Sequence, residues 1–192
     1  QKIIDVITNH GGKAILTSLD HQTGTDRVYE VFKNELKTEP NIILNLQGDM
    51  PNIDPKDITD LVLYMKKEKC DIGTLASEFS KESELTDENN VKVAVKEKLK
   101  SNNFGKAVDF FRTSSNICEN IYHHVGIYAF TNKALVRYVS LERSKLELER
   151  KLEQLRALEN DMSIHVGHIS SSPLSVDTKI DLIEVKKIME NK

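Results

Sequence analysis

Residues 41–51 read Asn-Ile-Ile-Leu-Asn-Leu-Gln-Gly-Asp-Met-Pro, a largely apolar run followed by a glycine, a carboxylate and a proline. The run has the length and composition of a buried strand, and it suits a parallel sheet that is covered on both faces. Ligands of open α/β sheets bind beyond the carboxyl ends of such strands. The stretch therefore predicts a core strand of an α/β fold and a ligand site around Asp49.

Predicted helices and strands alternate on both sides of this stretch. Apolar residues at helical spacing predict helices over residues 2–10, 26–36, 54–69, 131–139, 144–159 and 178–190. Short apolar or alternating runs predict further strands over residues 13–17, 71–76, 91–96, 107–111, 122–130 and 163–169. We expect a mixed, mostly parallel sheet with right-handed crossovers, and a more antiparallel insertion within residues 80–130.

The composition excludes several classes of protein. The 192 residues include 27 Lys+Arg and 30 Asp+Glu, which give a formal net charge of -3. Nucleic acid and anionic membrane surfaces are therefore not expected partners, because both require a concentrated cationic excess. No apolar run approaches the ~18 residues of a membrane span. Cys70 and Cys118 belong to no Cys/His cluster, so we expect a reducing cytoplasm and neither a disulfide framework nor a zinc site.

Two aspartates are candidate ligands for a hard cation. Asp49 directly follows the predicted strand, and Asp177 directly precedes the last predicted helix. Mg²⁺ typically takes one or two carboxylates together with substrate phosphates. A structural role stays open for both residues, because Asp49 also suits a turn and either Asp177 or Thr178 suits a helix N-cap.

Other polar residues carry weaker signals. Glu153 and Gln154 lie off the apolar stripe of their predicted helix, so helical spacing alone predicts that both are solvated. His165 and His168 are three apart on a predicted strand and project from opposite faces, which argues against a shared metal. The sequence has neither a Walker loop nor a G-x-G-x-x-G motif, so ordinary ATPase and NAD-binding interpretations have no support.

Six blocks, in order along nearly the whole chain, resemble the CMP-Kdo synthetases (3-deoxy-manno-octulosonate cytidylyltransferases). The blocks are Asp-His-Gln-Thr-Gly-Thr-Asp-Arg at 20–27, Leu-Gln-Gly-Asp-Met-Pro at 46–51, Asn-Val-Lys-Val at 90–93, His-Val-Gly-Ile-Tyr at 124–128, Leu-Glu-Gln-Leu-Arg at 152–156 and Val-Asp-Thr at 176–178. No single block is decisive, but the second and fifth together separate this family from most other sugar nucleotidyltransferases.

The resemblance implies a Rossmann-like nucleotidyltransferase fold and an enzyme that activates 3-deoxy-D-manno-octulosonate (Kdo) with CTP. The products would be CMP-Kdo, for lipopolysaccharide biosynthesis, and pyrophosphate. The resemblance further implies Mg²⁺ as the cofactor, a homodimer, and the cytoplasm of a Gram-negative bacterium.

The resemblance also assigns roles residue by residue. Asp49 and Asp177 would be the catalytic carboxylates and hold Mg²⁺ between the α-phosphate and the sugar acid. The residues on the CTP side would be Gly24, Thr25, Arg27 and Gln47. The residues on the Kdo side would be Arg112, His124, Tyr128, Glu153 and Gln154. Strand geometry agrees for His124 and Tyr128, which are four apart and project from one face. For Glu153 and Gln154 the resemblance contradicts the solvated interpretation.

The resemblance divides the chain into three parts: a nucleotide-binding part at 1–79, an insertion with the sugar-binding and dimer region at 80–130, and the remainder of the α/β domain at 131–192. The family begins with a strand and a basic phosphate-binding loop that have no counterpart here, so we expect the first part to be N-terminally incomplete. Met50 stands where the family usually has Glu, and Arg150 stands where it usually has an acid.

Two alternatives to Kdo activation stay open at this point. The first is a synthetase for another sugar acid, such as sialic acid. The second is a non-catalytic α/β binding domain that has lost its phosphate-binding loop.

Overall fold

The computed structural model describes residues 2–100, 103–113 and 119–190. The chain divides into two compact units, Gln1–Pro40 and Asn41–Lys192. Cys70 is buried, whereas Cys118 lies outside the described residues. Within the described ranges, no helix combines the length and the apolar character that crossing a bilayer requires.

The described residues of the first unit form two helices, α1 (Lys2–Asn9) and α2 (Gly24–Glu35). After α1 the backbone turns through Gly11, whose φ of +78° favours glycine. α2 begins at a capping box, in which Thr23 Oγ1 accepts from the Asp26 amide and the Asp26 carboxylate accepts from the Thr23 amide. Both helices were predicted. The strand predicted over residues 13–17 does not form, because this run has no ladder partner among the described residues.

The second unit has six strands and six helices among its described residues. The strands are β1 (Ile42–Asn45), β2 (Ile72–Ser77), β3 (Lys92–Val95), β4 (Phe104–Phe111), β5 (Ile121–Thr131) and β6 (Ile164–Ile169). The helices are α3 (Pro55–Lys67), α4 (Glu82–Thr86), α5 (Asn132–Ser140), α6 (Lys145–Arg150), α7 (Leu155–Glu159) and α8 (Lys179–Glu190).

The six strands form one mixed sheet in the order β1-β5-β2-β6-β4-β3. β3 also pairs with β5, so the pairings of β5, β2, β6, β4 and β3 form a closed ring. The predicted α/β class with a mixed sheet is confirmed. The sheet is less parallel than expected: among the described strands only β2 and β6 pair in parallel, because β5 lies between β1 and β2 and runs opposite to both.

Helix α3 covers one face of this sheet. Leu61 and Met65 of α3 pack on Leu75, Val125 and further apolar residues of the central strands. The helix and sheet approach closely at Gly73, where an added Cβ would lie only 2.8 Å from Leu61 Cδ1. This packing leaves the opposite face of the sheet, with Thr74 and its neighbours, to the polar site described below.

The long helix predicted over residues 144–159 is two short helices. The chain turns at Lys151, which adopts a left-handed conformation with φ 55°, and α7 folds back on α6. In a continuous helix, residues nine apart would be separated by about 13.5 Å along the axis. The turn instead brings Arg156 Nη2 within 2.7 Å of Glu147 Oε1. A buried ion pair therefore replaces the continuous helix.

We expect Leu61→Ala to lower the free energy of unfolding by about 2–5 kcal/mol, because Leu61 is fully buried and the substitution leaves a cavity. Leu63→Ala is the matched control, since Leu63 is on the same helix with 57% of its surface exposed, and it should change stability by less than about 0.5 kcal/mol. Chemical denaturation measures both values. Equal losses in the two variants would contradict the assignment of the core face of α3.

Candidate functional site

A cleft of about 440 Å³ lies in the second unit, on the side where several strands end in polar loops. Its walls include Met50 from the loop after β1, His124 and Gly126 from β5, and Asp177 from the loop before α8. Asn89 and Asn90 line it from the loop before β3. The structure thus brings together residues from four of the six sequence blocks.

The loops that carry the two predicted metal-binding carboxylates are hydrogen-bonded to each other. The Val176 amide donates to the backbone oxygen of Asp49 at 2.9 Å, and Ser175 Oγ lies 3.5 Å from Asp49 Oδ2. A third bond joins the Leu174 amide to Asn52 Oδ1 at 3.0 Å. These contacts place the backbone on the N-terminal side of Asp177 directly against the Asp49 loop.

The structure also separates Asp177 from the role of helix cap. Thr178 Oγ1 accepts from the Asp181 amide at 3.2 Å, and Asp181 Oδ2 accepts from the Thr178 amide at 2.7 Å. This is a capping box with Thr178 as the N-cap of α8. The side chain of Asp177 is exposed and is not needed to cap the helix.

The donor set on these loops fits a magnesium ion. Asp49 and Asp177 are both exposed carboxylates with hard oxygen donors on loops in contact. The described residues include no group of three or more Asp, Glu, His or Cys that could enclose a metal. A pair of carboxylates that leaves the remaining positions to water and phosphate oxygens is the usual arrangement for Mg²⁺.

Gln47 and Met50 lie against the strand that carries the predicted Kdo contacts. A Cβ added to Gly126 would be 3.9 Å from Gln47 Cγ and 3.9 Å from Met50 Cε. The loop after β1 therefore lies against β5 between His124 and Tyr128, at a separation that would leave an added methyl group in ordinary van der Waals contact. This places the predicted CTP contact Gln47 beside two predicted Kdo contacts.

His124 is buried at the floor of the cleft and is uncharged. Its Nε2 is 3.0 Å from Thr74 Oγ1, and its ring packs edge-on against Phe110 and lies 5.5 Å from the ring of Tyr128. Burial, with a smaller contribution from His123, lowers the pKa of His124 to about 3. The residue can act as a hydrogen-bonding group at neutral pH but does not supply a positive charge.

The Leu-Glu-Gln-Leu-Arg block lies near the same face. Tyr128 is buried, and its pKa is raised by burial first and then by the nearby charge of Glu153. Only 5% of the surface of Gln154 is exposed, and Glu153 is half-buried. The solvated interpretation from helical spacing is therefore wrong. It failed because both residues lie in the turn between α6 and α7, where helical periodicity does not apply.

A buried ion pair anchors this turn. Glu147 accepts from Arg156 at 2.7 and 2.8 Å and from Arg143 Nε at 2.9 Å. Burial acts to raise the pKa of Glu147, but the hydrogen bonds from Arg156 and Arg143 outweigh it and the pKa is lowered. The guanidinium of Arg156 also lies 4.6 Å above the ring of Tyr138, whose hydroxyl donates to the Glu153 carbonyl.

Arg112 holds the cleft wall through backbone contacts. Its Nη1 donates to the carbonyl oxygens of Glu88 and Asn89, both at 3.0 Å. The buried Lys92 donates to the carbonyl oxygens of Asn90 at 2.9 Å and of Arg112 at 2.8 Å. Arg112 is not itself among the residues that line the cleft, so its direct contact with Kdo stays a prediction.

The other three predicted CTP contacts belong to the first unit. Gly24 begins α2, Thr25 in its first turn is buried, and both follow the capping residue Thr23. Arg27 Nη1 donates to Thr17 Oγ1 and to the Ser18 carbonyl, both at 2.7 Å. These bonds order the loop before α2, and the CTP contacts of this unit stay predictions.

Sequence reasoning missed three residues that organise the site, namely Thr74, Lys92 and Glu147. Two of them carried a signal: Lys92 falls within one of the six blocks, and Glu147 follows Ser144 by three residues, the spacing of a helix capping box. A second cavity of about 530 Å³, between α3 and the start of β4, is lined by none of the predicted site residues. The smaller cleft is the candidate site because the predicted carboxylate and histidine lie on its walls.

Comparisons with known proteins point to one family of enzymes. A family model described as Cytidylyltransferase matches residues 1–164. A 3-deoxy-manno-octulosonate cytidylyltransferase from Bartonella henselae is 41% identical over 189 residues, which cover 97% of this chain and 77% of the relative. A protein of the same name from Brucella anthropi is 42% identical over 184 residues, which cover 95% and 74% of the two chains.

Solved structures show the same fold. A CMP:2-keto-3-deoxy-manno-octonic acid synthetase complexed with CTP matches with a TM-score of 0.85 and 32% identity, over 99% of this chain and 77% of that chain. A 4-diphosphocytidyl-2C-methyl-D-erythritol synthase from Anaerococcus prevotii matches with a TM-score of 0.59 and 15% identity, over 98% and 76%. The second likeness concerns the fold alone. The predicted nucleotidyltransferase fold is confirmed.

Glu147→Gln should lower the free energy of unfolding by about 3–5 kcal/mol, because it leaves Arg156 charged and buried without its counter-ion. The matched control is Glu149→Gln on the same helix. Glu149 is half exposed, and its ion pair with Lys145 is long, at 3.8 Å. The loss of this pair should therefore cost less than about 1 kcal/mol. If urea titration gives similar values for both variants, the ion pair does not anchor the turn.

The depressed pKa of His124 should make stability depend on pH. Between the ordinary value of about 6.5 and the folded value of about 3, only the unfolded chain binds the proton, so stability falls as pH falls. The slope from one such group is at most about 1.4 kcal/mol per pH unit. His124→Gln should therefore lose less stability than the wild type between about pH 7 and about pH 5. Identical slopes by denaturation would show that His124 protonates in the folded protein.

Proposed function

Because this chain belongs to the cytidylyltransferase family, we propose that it transfers the cytidylyl group of CTP to Kdo, giving CMP-Kdo and pyrophosphate. Relatives that carry the name of this activity are 41% identical over 97% of the chain. The observation that carries the proposal is the hydrogen bonding between the Asp49 and Asp177 loops at a cleft floored by His124. It supports a site that holds a phosphate-bound cation and a polyhydroxy acid side by side.

The reaction is a displacement at phosphorus. The 2-hydroxyl oxygen of Kdo forms a bond to the α-phosphorus of CTP, the bond to the β-phosphate oxygen breaks, and pyrophosphate leaves with that electron pair. The hydroxyl proton passes to solvent or to the departing phosphate. Such reactions are accelerated chiefly by positioning and by neutralisation of charge, so the proposal assigns no general base.

Asp49 and Asp177 would hold Mg²⁺, which would supply the positive charge that the α-phosphate and the leaving pyrophosphate require. Their exposure leaves room for phosphate oxygens and water in the remaining coordination positions. The hydrogen bonds between the two loops hold the backbone beside Asp177 against the Asp49 loop, which supports a shared site for the two carboxylates. The proposal therefore assigns the protein a pair of hard ligands rather than an activated nucleophile.

Neutral polar groups would bind the sugar acid. His124 is uncharged at physiological pH, and Tyr128 retains its proton because its pKa is raised well above the ordinary value. Gln154 is buried in the turn that the Glu147–Arg156 pair anchors. These groups can form hydrogen bonds with sugar hydroxyls. Because they are buried, leaving any of them without a partner costs free energy, and this cost favours a ligand with hydroxyls at matching positions. The homodimer and the cytoplasmic location stay predictions.

Asp49→Asn and Asp177→Asn should each abolish CMP-Kdo formation from CTP and Kdo while the protein stays folded, because a neutral amide is a poor ligand for a hard dication. Asp161→Asn is the control. Asp161 is exposed, with a φ of 55° that Asn also tolerates, and this variant should keep full activity. Pyrophosphate release and chromatography of the nucleotide sugar measure the reaction. Near-normal turnover in either site variant at saturating Mg²⁺ would remove that residue from the metal site.

A further inference from the structure

Thr74 lies at an irregularity in the pairing of β2 with β5. Thr74 is opposite Tyr128 and the next residue, Leu75, is opposite Val125, so two residues of β5 have no partner on β2. The hydroxyl of Thr74 fills this gap in the ladder. Its Oγ1 lies 2.7 Å from the Ile127 carbonyl oxygen and 3.2 Å from the Val125 carbonyl oxygen.

The same hydroxyl determines which nitrogen of His124 carries the proton. A threonine hydroxyl has one proton to donate, and a carbonyl oxygen can only accept. Two oxygens only 2.7 Å apart require that proton between them, so the hydroxyl donates to Ile127. Thr74 Oγ1 is then an acceptor toward His124 Nε2, 3.0 Å away. His124 must donate from Nε2, which leaves the lone pair of the neutral ring on Nδ1.

The lone pair on Nδ1 is available to a ligand. Within the described part of the chain, no protein group forms a hydrogen bond to His124 Nδ1, and His124 lines the 440 Å³ cleft. The rings of Phe110 and Tyr128 pack against the imidazole, and the bond to Thr74 orients its Nε2. An acceptor held in this way favours a ligand that offers a hydrogen-bond donor, such as a hydroxyl.

We propose that Thr74 is a positioning residue of the sugar-acid site, which fixes His124 as the Nε2–H tautomer so that Nδ1 accepts a hydrogen bond from a hydroxyl of the bound sugar acid. The identity of the hydroxyl donor as Kdo rests on the proposed function. The tautomer itself does not, because it follows from the contacts of Thr74 alone. Burial keeps the ring neutral, so the acceptor persists across the physiological pH range.

The first experiment uses the wild-type protein with ¹⁵N-labelled histidine. Long-range ¹⁵N–¹H correlation spectra, assigned with His124→Gln, should show the Nε2–H tautomer for His124. Addition of Kdo should shift the Nδ1 resonance toward that of a hydrogen-bonded nitrogen, and glycerol at the same concentration should leave it in place. An Nδ1–H tautomer would overturn the proposal, and so would an Nδ1 resonance that Kdo leaves unchanged in a protein that forms CMP-Kdo.

The second experiment compares Thr74→Val with Thr74→Ser. Valine removes the hydroxyl at nearly constant volume, and we expect the KM for Kdo to rise roughly tenfold while the KM for CTP changes less than about twofold. Serine restores the hydroxyl and should recover most of the affinity for Kdo. An unchanged KM for Kdo in Thr74→Val, or an equal loss in Thr74→Ser, would overturn the proposal.

The two experiments separate the failure of this inference from the failure of the proposed function. If the wild-type protein forms no CMP-Kdo, the proposed function fails, and a Nε2–H tautomer in the spectra would still support the role of Thr74 in fixing the ring. If CMP-Kdo forms and the valine variant has the wild-type KM, only the inference fails. Should Thr74→Val not fold, the wild-type titration and the serine variant decide the matter.

Discussion

The hydrogen bonding of β5 to three other strands is the constraint on which the second unit depends. One edge of β5 pairs with β2. The other edge pairs with β3 at the N-terminal end of β5 and with β1 at the C-terminal end of β5. The strand therefore fixes the ends of β1 and β2, from which the polar loops emerge. It also carries His124, Gly126 and Tyr128 into the site. A shift of its register by one residue would move every one of these groups to the other face.

Polar interactions that are buried against this strand hold the site in shape. The hydroxyl of Thr74 satisfies carbonyl groups that the irregular pairing releases, and the Glu147–Arg156 pair holds the turn that carries Gln154. Leaving such groups unpaired in the interior costs free energy, so each has one satisfactory arrangement. At these irregular positions the buried hydrogen bonds hold the backbone in place, as regular secondary structure does elsewhere. They also hold the neighbouring side chains in position for contact with a ligand.

The elements that the sequence predicted well are those with local causes. α2 begins at its Thr23–Asp26 box and α8 at its Thr178–Asp181 box, and both are set by residues three apart. The elements that it predicted poorly have distant causes. Residues 13–17 have the composition of a strand but no ladder partner among the described residues, and the helix over residues 144–159 breaks because Arg156 pairs with Glu147. A periodic pattern contains no information about such partners.

The sequence by itself determined the family, the fold class and the chemical types at the site, because six ordered blocks and the positions of two carboxylates, one after a strand and one before a helix, can be read along the chain. Only the tertiary structure decided how those groups meet. Ser175 and Asp49 are 126 positions apart, and Thr74 and His124 are 50 apart, yet each pair is in contact. The tautomer of His124 follows from a pairing irregularity between two strands. Such contacts depend on the register of the whole sheet, which no local stretch of sequence specifies.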